Sequence, residues 1–335
     1  ADGKADETVD GLRIVGVRRY RRRLARIVFG PVAVFRAALR LDARIYKMHD
    51  PELLPLAMIA KIFSRAKFVF DSHEDVPVQF LAKPYLTPAL RRIGSAILKI
   101  LLHFFCARLD GVIAATPLIH EKLSRANANA VTIRNYPLVS EFDSQHSPDI
   151  RRTSITYVGN IAESRGILEL LEAVDLVREP VPLDLVGQFA ERDTEERARR
   201  MTGWRMVTYH GWVGRGEVRE VLARSLAGIV TLRPHPNYID ALPVKMFEYM
   251  GAGVPVIASD FPLWRQIVET ADCGVLVDPL DPQAIADAVE FMLDHPERAR
   301  EMGVNGQRAV FERFNWKVEE AELLSFYRAL HGHCK

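Results

Sequence analysis

The strongest constraint on this chain is a rhythm. Short apolar runs of four to six residues alternate with longer segments of helical periodicity over nearly the whole length. Strands that return to one sheet through helices must lie parallel, because an antiparallel return needs only a tight turn. The runs in the first half are Leu12–Val17, Ala43–Met48, Lys67–Asp71, Gly111–Ala115 and Ala130–Ile133. A helix is expected over Pro51–Arg65, with Asp50 as N-cap and Pro51 in the first helical position. Residues 140–152 are polar and aperiodic and read as a linker. The rhythm then restarts with strands at Ser154–Val158, Leu183–Val186, Met206–His210, Gly228–Leu232, Pro255–Ala258 and Gly274–Val277. Their helices are expected at Ile167–Val177, Arg192–Met201, Arg215–Arg224, Val244–Ala252 and Phe261–Glu269, and three more at Pro282–Leu293, Pro296–Phe314 and Trp316–Leu330. The pattern predicts two doubly wound α/β domains, 1–140 and 153–315, joined by 141–152, with the helix 316–330 crossing back to the first. Ligands of such sheets bind beyond the carboxyl ends of the strands, and here the cleft between domains is the expected place.

Composition supports a globular chain: of 335 residues, 48% are hydrophobic and 26% charged. Cys106, Cys273 and Cys334 lie far apart with no CxxC pair, which argues against a disulfide framework or a cysteine zinc site. His331, His333 and Cys334 gather in the C-terminal tail, a weak basis for a metal site. No apolar run approaches the roughly 18 residues of a membrane span.

The net charge of +2 hides an asymmetry. Residues 1–150 hold 23 Lys and Arg against 15 Asp and Glu, a net of +8, and the remainder carries −6. Arg18–Arg40 contains eight arginines and no acid, interleaved with aliphatic and aromatic residues. Leu90–Leu109 sets Arg91, Arg92, Lys99 and Arg108 beside an almost unbroken apolar face. Both segments suit the surface of an anionic membrane, although Leu90–Leu109 also fits a core helix with a basic solvated side. No recognition motif or aromatic platform accompanies the charge, so nucleic acid is not expected as a partner.

The segment Leu232–Asp260, LRPHPNYIDALPVKMFEYMGAGVPVIASD, carries an acid, seven residues and a Glu, then a Gly-Ala-Gly turn and a Pro-Val-Ile strand. In this it resembles the donor-binding core of the GT-B glycosyltransferases of family 4. Further landmarks match in order: Tyr157-Val158-Gly159, Arg165-Gly166, Leu185-Val186-Gly187 and His210-Gly211-Trp212-Val213. In the first half, His49-Asp50-Pro51-Glu52-Leu53-Leu54 and Asp71-Ser72-His73-Glu74-Asp75 resemble strand ends of the family's acceptor domain. Members usually begin with one βα unit ahead of a segment like Ala1–Val17, so the resemblance implies a unit that this chain lacks.

The resemblance implies two Rossmann-like domains and a retaining transferase that moves a sugar from a nucleoside diphosphate to a lipid-linked or glycan acceptor. Such an enzyme would work at the inner face of the plasma membrane, in cell-surface polysaccharide, lipopolysaccharide or glycolipid synthesis. Attack from the front face, with the departing phosphate taking the acceptor proton, would need no covalent nucleophile. No Asp-x-Asp motif occurs in the sequence. No metal or other cofactor is therefore expected, and phosphate charge falls to Arg165, Lys245 and helix N-termini, with Gly159 and Gly166 letting backbone N–H groups approach. Asn160 stands where many relatives have a phosphate-binding arginine. By resemblance Glu248 holds the ribose and Asp240 a hydroxyl of the donor sugar, with the N–H groups of Ala241 and Leu242 nearby and the Val213 backbone at the base. His73 would face the sugar, and Glu74 and Asp75 would orient the acceptor; His49 reads as strand-end structure. A sugar-nucleotide epimerase and a non-catalytic glycan- or membrane-binding subunit are the competing readings.

Overall fold

The computed structural model describes residues 5–20, 22–83, 86–142 and 152–332, with residues 23, 24 and 27 described by backbone alone. The chain divides into two compact units, one of residues 1–133 with 322–335 and one of residues 134–321.

The first unit opens with a hairpin, β1 (Glu7–Val9) and β2 (Leu12–Ile14), paired antiparallel. The strand expected at Leu12–Val17 is thus corrected to half of an exposed ribbon that joins no larger sheet. Asp10 and Gly11, both at positive φ, close its two-residue turn, which an apolar-run reading passes over. Then follow α1 (Arg23–Leu39), β3 (Ile45–Met48), α2 (Leu54–Phe63), β4 (Lys67–Ser72), α3 (Val76–Leu81), α4 (Pro88–Cys106), β5 (Gly111–Ala114), α5 (Pro117–Ser124) and β6 (Ala130–Thr132). The helix expected over Pro51–Arg65 begins as a 3₁₀ turn at Pro51–Leu53 and ends at Phe63. Asp50 stands at its cap position, yet its side chain makes no capping bond. The four strands β3–β6 are parallel and neighbours in chain order. Met48, Phe68, Phe70, Val112 and Ala114 share one core with Leu54, Ala57 and Cys106 of the covering helices.

The second unit contains β7 (Ser154–Val158), α6 (Ile167–Leu176), β8 (Leu183–Val186), α7 (Arg192–Arg200), β9 (Val207–Gly211), α8 (Arg215–Ala223), β10 (Ser225–Val230), α9 (Pro236–Ile239), α10 (Val244–Gly251), β11 (Val256–Ser259), α11 (Pro262–Ala271), β12 (Gly274–Val277), α12 (Pro282–Asp294), α13 (Pro296–Glu312) and α14 (Trp316–Gly332). The end of α14, from Glu322, is counted with the first unit. Strand order is β12-β11-β10-β7-β8-β9, all parallel, so winding reverses between β10 and β7. Because side chains alternate along a strand, each face has its own core. Ala227, Ile229 and Ile257 pack with α6 and α12, while Val230, Val256 and Ala258 pack with α10, α11 and α13. His210 is spent on structure: Nε2 lies 2.7 Å from the buried Asp184, which also accepts from Arg224 at 2.8 Å.

The expected linker is only partly described. Val139–Glu141 forms a 3₁₀ turn, and residues 143–151 lie outside the described residues, as do Arg21, His333 and Cys334. Cys106 and Cys273 are free and buried, and burial pushes both thiols up to about 12. No helix among the described residues is long and apolar enough to cross a membrane.

Candidate donor site and a histidine cluster

Winding reverses between β7 and β10, and ligands of open α/β sheets bind beyond the carboxyl ends of the strands at such a reversal. The motifs quoted above arrive there from both sides. β7 ends in Gly159 (φ +125°), and the chain reaches α6 through Gly166 (φ +74°). A Cβ on Gly166 would sit 1.9 Å from the Thr231 carbonyl oxygen after β10, so only glycine brings these two loops together.

Lys245, in the first turn of α10, is the unusual group. The residue is 7% exposed, and its Nζ has no hydrogen-bond partner among the described residues. Nζ lies 3.6 Å from the centre of the Tyr157 ring and faces Gly159. Burial pushes its pKa well down, the Arg165 charge adds to this, and Glu248 opposes. Arg165 makes no ion pair among the described residues, and its guanidinium lies 5.9 Å from the Tyr238 ring centre. The third cation nearby is neutralised: Arg233 pairs with Glu163 at 2.9 Å and Glu169 at 2.6 Å. Two adjacent cations without carboxylates, one deeply buried, are costly unless an anion completes them.

Glu248 lies one turn on from Lys245 and lines a pocket of about 290 Å³ with Asn135, Tyr136, Glu141, Arg215 and Trp316. Burial raises its carboxyl above the usual value, against the pull of Arg215 and Lys245. Arg215 is itself paired with Glu141. Asp240 ends α9, half-buried. The Ala241 N–H is taken by the Tyr238 carbonyl at 3.1 Å, whereas the Leu242 N–H has no acceptor among the described residues. Asn160 is exposed, and its carbonyl accepts from the Tyr157 hydroxyl at 2.7 Å. Val213 is half-buried in the β9–α8 turn, two residues before Arg215. Sequence reasoning quoted Tyr157 only as a landmark and gave no site role to Arg215 or Trp316. Arg215 was findable as the residue that opens α8 just after the quoted His-Gly-Trp-Val; the role of the Tyr157 ring was not, since it depends on where a side chain from α10 comes to rest.

In the first unit the register Met48↔Phe70 brings the ends of β3 and β4 together. His73 Nε2 lies 3.3 Å from Asp71 Oδ2 and 3.1 Å from His49 Nδ1. Lys47 Nζ is 2.6 Å from the same Asp71 oxygen. The hydrogen bond with Asp71 raises the His73 pKa against burial. Burial lowers that of His49, more than Asp71 raises it. Burial would raise the Asp71 carboxyl, but bonds from His73 and Lys47 outweigh it and hold it below the usual range. Asp75 caps α3 through Val78 N–H at 3.2 Å and pairs with Lys122 at 2.5 Å; Glu74 accepts from Gln79. His49, read as strand-end structure, therefore shares a cluster with His73.

Comparison with known proteins bears on the fold. Residues 152–295 match the family described as Glycosyl transferases group 1. The alpha-maltose-1-phosphate synthase of Mycolicibacterium smegmatis is 28% identical over 190 residues, 54% of this chain and 49% of that protein. The phosphatidyl-myo-inositol mannosyltransferase of Mycobacterium leprae is 24% identical over 323 residues, 93% of this chain and 81% of the relative. Sucrose-phosphate synthase from Thermosynechococcus elongatus superposes with a TM-score of 0.76 at 19% identity, covering 98% of this chain and 85% of its own. Anabaena Alr3699/HepE, solved in complex with UDP, does so with 0.72 at 16% identity, covering 89% and 82%. Two Rossmann-like units with these neighbours define a GT-B protein. Within that class, residues 152–295 match the group 1 glycosyl transferases, and the mannosyltransferase likeness runs over 93% of the chain.

Proposed function

We propose that this glycosyltransferase moves a sugar, with retention, from a nucleoside diphosphate donor to a lipid-linked or glycan acceptor at the cytoplasmic face of an anionic membrane, within cell-surface polysaccharide or glycolipid synthesis. The observation that carries the reading is the orphaned Lys245 ammonium beside Arg165 at the β7/β10 reversal. A diphosphate would give both cations their counter-charge and meet the N-terminus of α10. That Alr3699/HepE was solved with UDP supports the choice of ligand. The pocket beside Glu248 is large enough for a ribose and part of a base, and its carboxylate suits paired hydroxyls. Asp240 is proposed for a sugar hydroxyl, with the Leu242 N–H close by in sequence, and His73 for contact with the transferred sugar. A thermal-shift screen across nucleoside diphosphates and their sugars tests the reading, because a ligand bound to the native state raises its melting temperature by mass action. Absence of any shift with every nucleotide would overturn it.

Glu248→Ala is expected to weaken nucleotide binding about 10- to 150-fold, the scale of one lost charge-assisted hydrogen bond (about 1.5–3 kcal/mol). Calorimetry with the matching nucleotide reads this directly, and unchanged affinity in a folded variant removes Glu248 from the site.

Transfer is proposed to need no metal; Lys245, Arg165 and the N-terminus of α10 support this reading as alternative counter-charges for phosphate. Activity should survive EDTA at full rate. Loss on chelation that Mg²⁺ or Mn²⁺ restores would place a metal in the reaction.

A further inference from the structure

Three metal-capable side chains converge in the first unit at a place that needs no donor phosphate. His49 Nδ1, Asp71 Oδ2 and His73 Nε2 form a triangle with edges of 3.1, 3.3 and 3.5 Å. A tetrahedral zinc ion with bonds of about 2.0–2.1 Å spaces its ligand atoms about 3.3 Å apart. The triangle thus has the size of one face of a zinc coordination shell. Either imidazole can supply the proton between His49 and His73, and the Asp71 oxygen also accepts from Lys47. Among the described residues, this is the one group of His, Cys, Asp and Glu whose ligand atoms lie within 4.8 Å of one another.

We propose that His49, Asp71 and His73 form a site for a borderline transition-metal ion, Zn²⁺ above all, with three protein ligands and an open fourth position. Two imidazoles and a carboxylate suit Zn²⁺ and its neighbours rather than Mg²⁺ or Ca²⁺, which prefer all-oxygen shells. The scaffold is rigid where it matters. Asp71 is 3% exposed at the end of β4, His73 lies two residues further on, and His49 follows β3 in the adjacent register position. The site also has a built-in competitor: the Lys47 ammonium lies 2.6 Å from the ligand oxygen of Asp71. Its side chain is one-third exposed, so it can swing into water when an ion arrives. Occupancy would take the Nε2 lone pair of His73. Resting on the role proposed for His73, the ion is a reversible inhibitor of transfer and not its cofactor.

The test uses the full chain carrying His333→Ala and Cys334→Ser, so that the tail cannot bind metal in place of the cluster. Competition with a chromophoric chelator should show one Zn²⁺ per chain, and Co²⁺ should give the intense visible absorption of a tetrahedral site. His49→Ala, at an exposed position, should cost at least about 10–100-fold in Zn²⁺ affinity while leaving the melting curve in place. Lys47→Gln should bind Zn²⁺ roughly tenfold more tightly, because a competing cation is gone; a merely structural cluster would not respond in that direction. No zinc binding at micromolar concentration, or equal binding by the His49→Ala variant, overturns the site. Zn²⁺ should inhibit transfer over the same concentration range, EDTA should restore it, and His49→Ala should escape inhibition. If zinc binds as described but no donor supports transfer, the metal site stands and the reading of the enzyme falls.

Discussion

Lys245→Met should make the protein more stable and close to inactive. The wild-type ammonium sits at 7% exposure with no hydrogen-bond partner, over the face of Tyr157. A cation–π contact returns only part of the hydration lost. Methionine fills nearly the same space without charge, and relief of an unpaired buried polar group is worth about 1–3 kcal/mol. For a unit of this size that corresponds to a melting increase of about 2–4 °C per kcal/mol. In the same variant, transfer should fall about 10²–10³-fold, the cost of losing one preorganised charge at a developing phosphate anion. The pH dependence separates this explanation from simple packing. The folded pKa of Lys245 is depressed, so the unfolded chain binds the extra proton and ligand-free stability rises with pH. The rise spans the interval from the depressed folded value to the unfolded value of about 10.4. The stability difference between Lys245→Met and wild type should therefore shrink as pH climbs through that interval. A variant less stable than wild type at neutral pH, with donor affinity intact, would falsify the anion-site assignment.

Replacement of Arg18, Arg19, Arg21, Arg22, Arg23 and Arg26 by Gln should abolish sedimentation with anionic vesicles. Each cation beside an anionic leaflet contributes about 1 kcal/mol, so six remove about 6 kcal/mol, more than about 10⁴ in partition coefficient. The described structure adds an apolar component to this argument. Along α4, Leu90, Ile93, Ile97, Ile100 and Phe104 recur at helical spacing and are exposed, Ile100 by 69%. Ile62 and Phe63 at the end of α2 are 76% and 85% exposed, and Val28 and Phe29 of α1 also face out. α2 packs against both α1 and α4. Arg92, Lys99 and Arg108 are exposed on or just after α4. Ile97→Asp with Ile100→Asp should weaken vesicle binding as strongly as the arginine set, and less steeply with salt. Both variants should keep wild-type affinity for nucleotide, whose proposed ligands belong to the second unit. If wild-type protein ignores anionic vesicles at low salt, a soluble acceptor becomes the better reading.

Much of this was legible in the residues. Alternation of short apolar runs with helical segments fixes a parallel α/β architecture, because period-2 and period-3.6 burial leave different marks on a sequence. The strands at Ser154–Val158, Leu183–Val186 and Gly274–Val277 occur at the positions read from the sequence. The resemblance carried by the segments around Asp240, Glu248, Gly159 and Gly166 implies a donor core in the second unit. What local pattern cannot carry is pairing. Leu12–Val17 reads as a sheet strand but ends in an exposed antiparallel hairpin, since partner choice is set by what lies alongside. The order β10-β7, at which the winding reverses, joins segments about seventy residues apart. That Lys245 is orphaned while Arg233 is neutralised follows from side chains that Glu163 and Glu169 send across from another element. The His49–Asp71–His73 triangle likewise needs the β3–β4 register. Sequence alone determined the kinds of element and the chemistry available to them; tertiary structure decided which charges are paired, because electrostatic energy depends on distance and burial, neither of which is written locally in the chain.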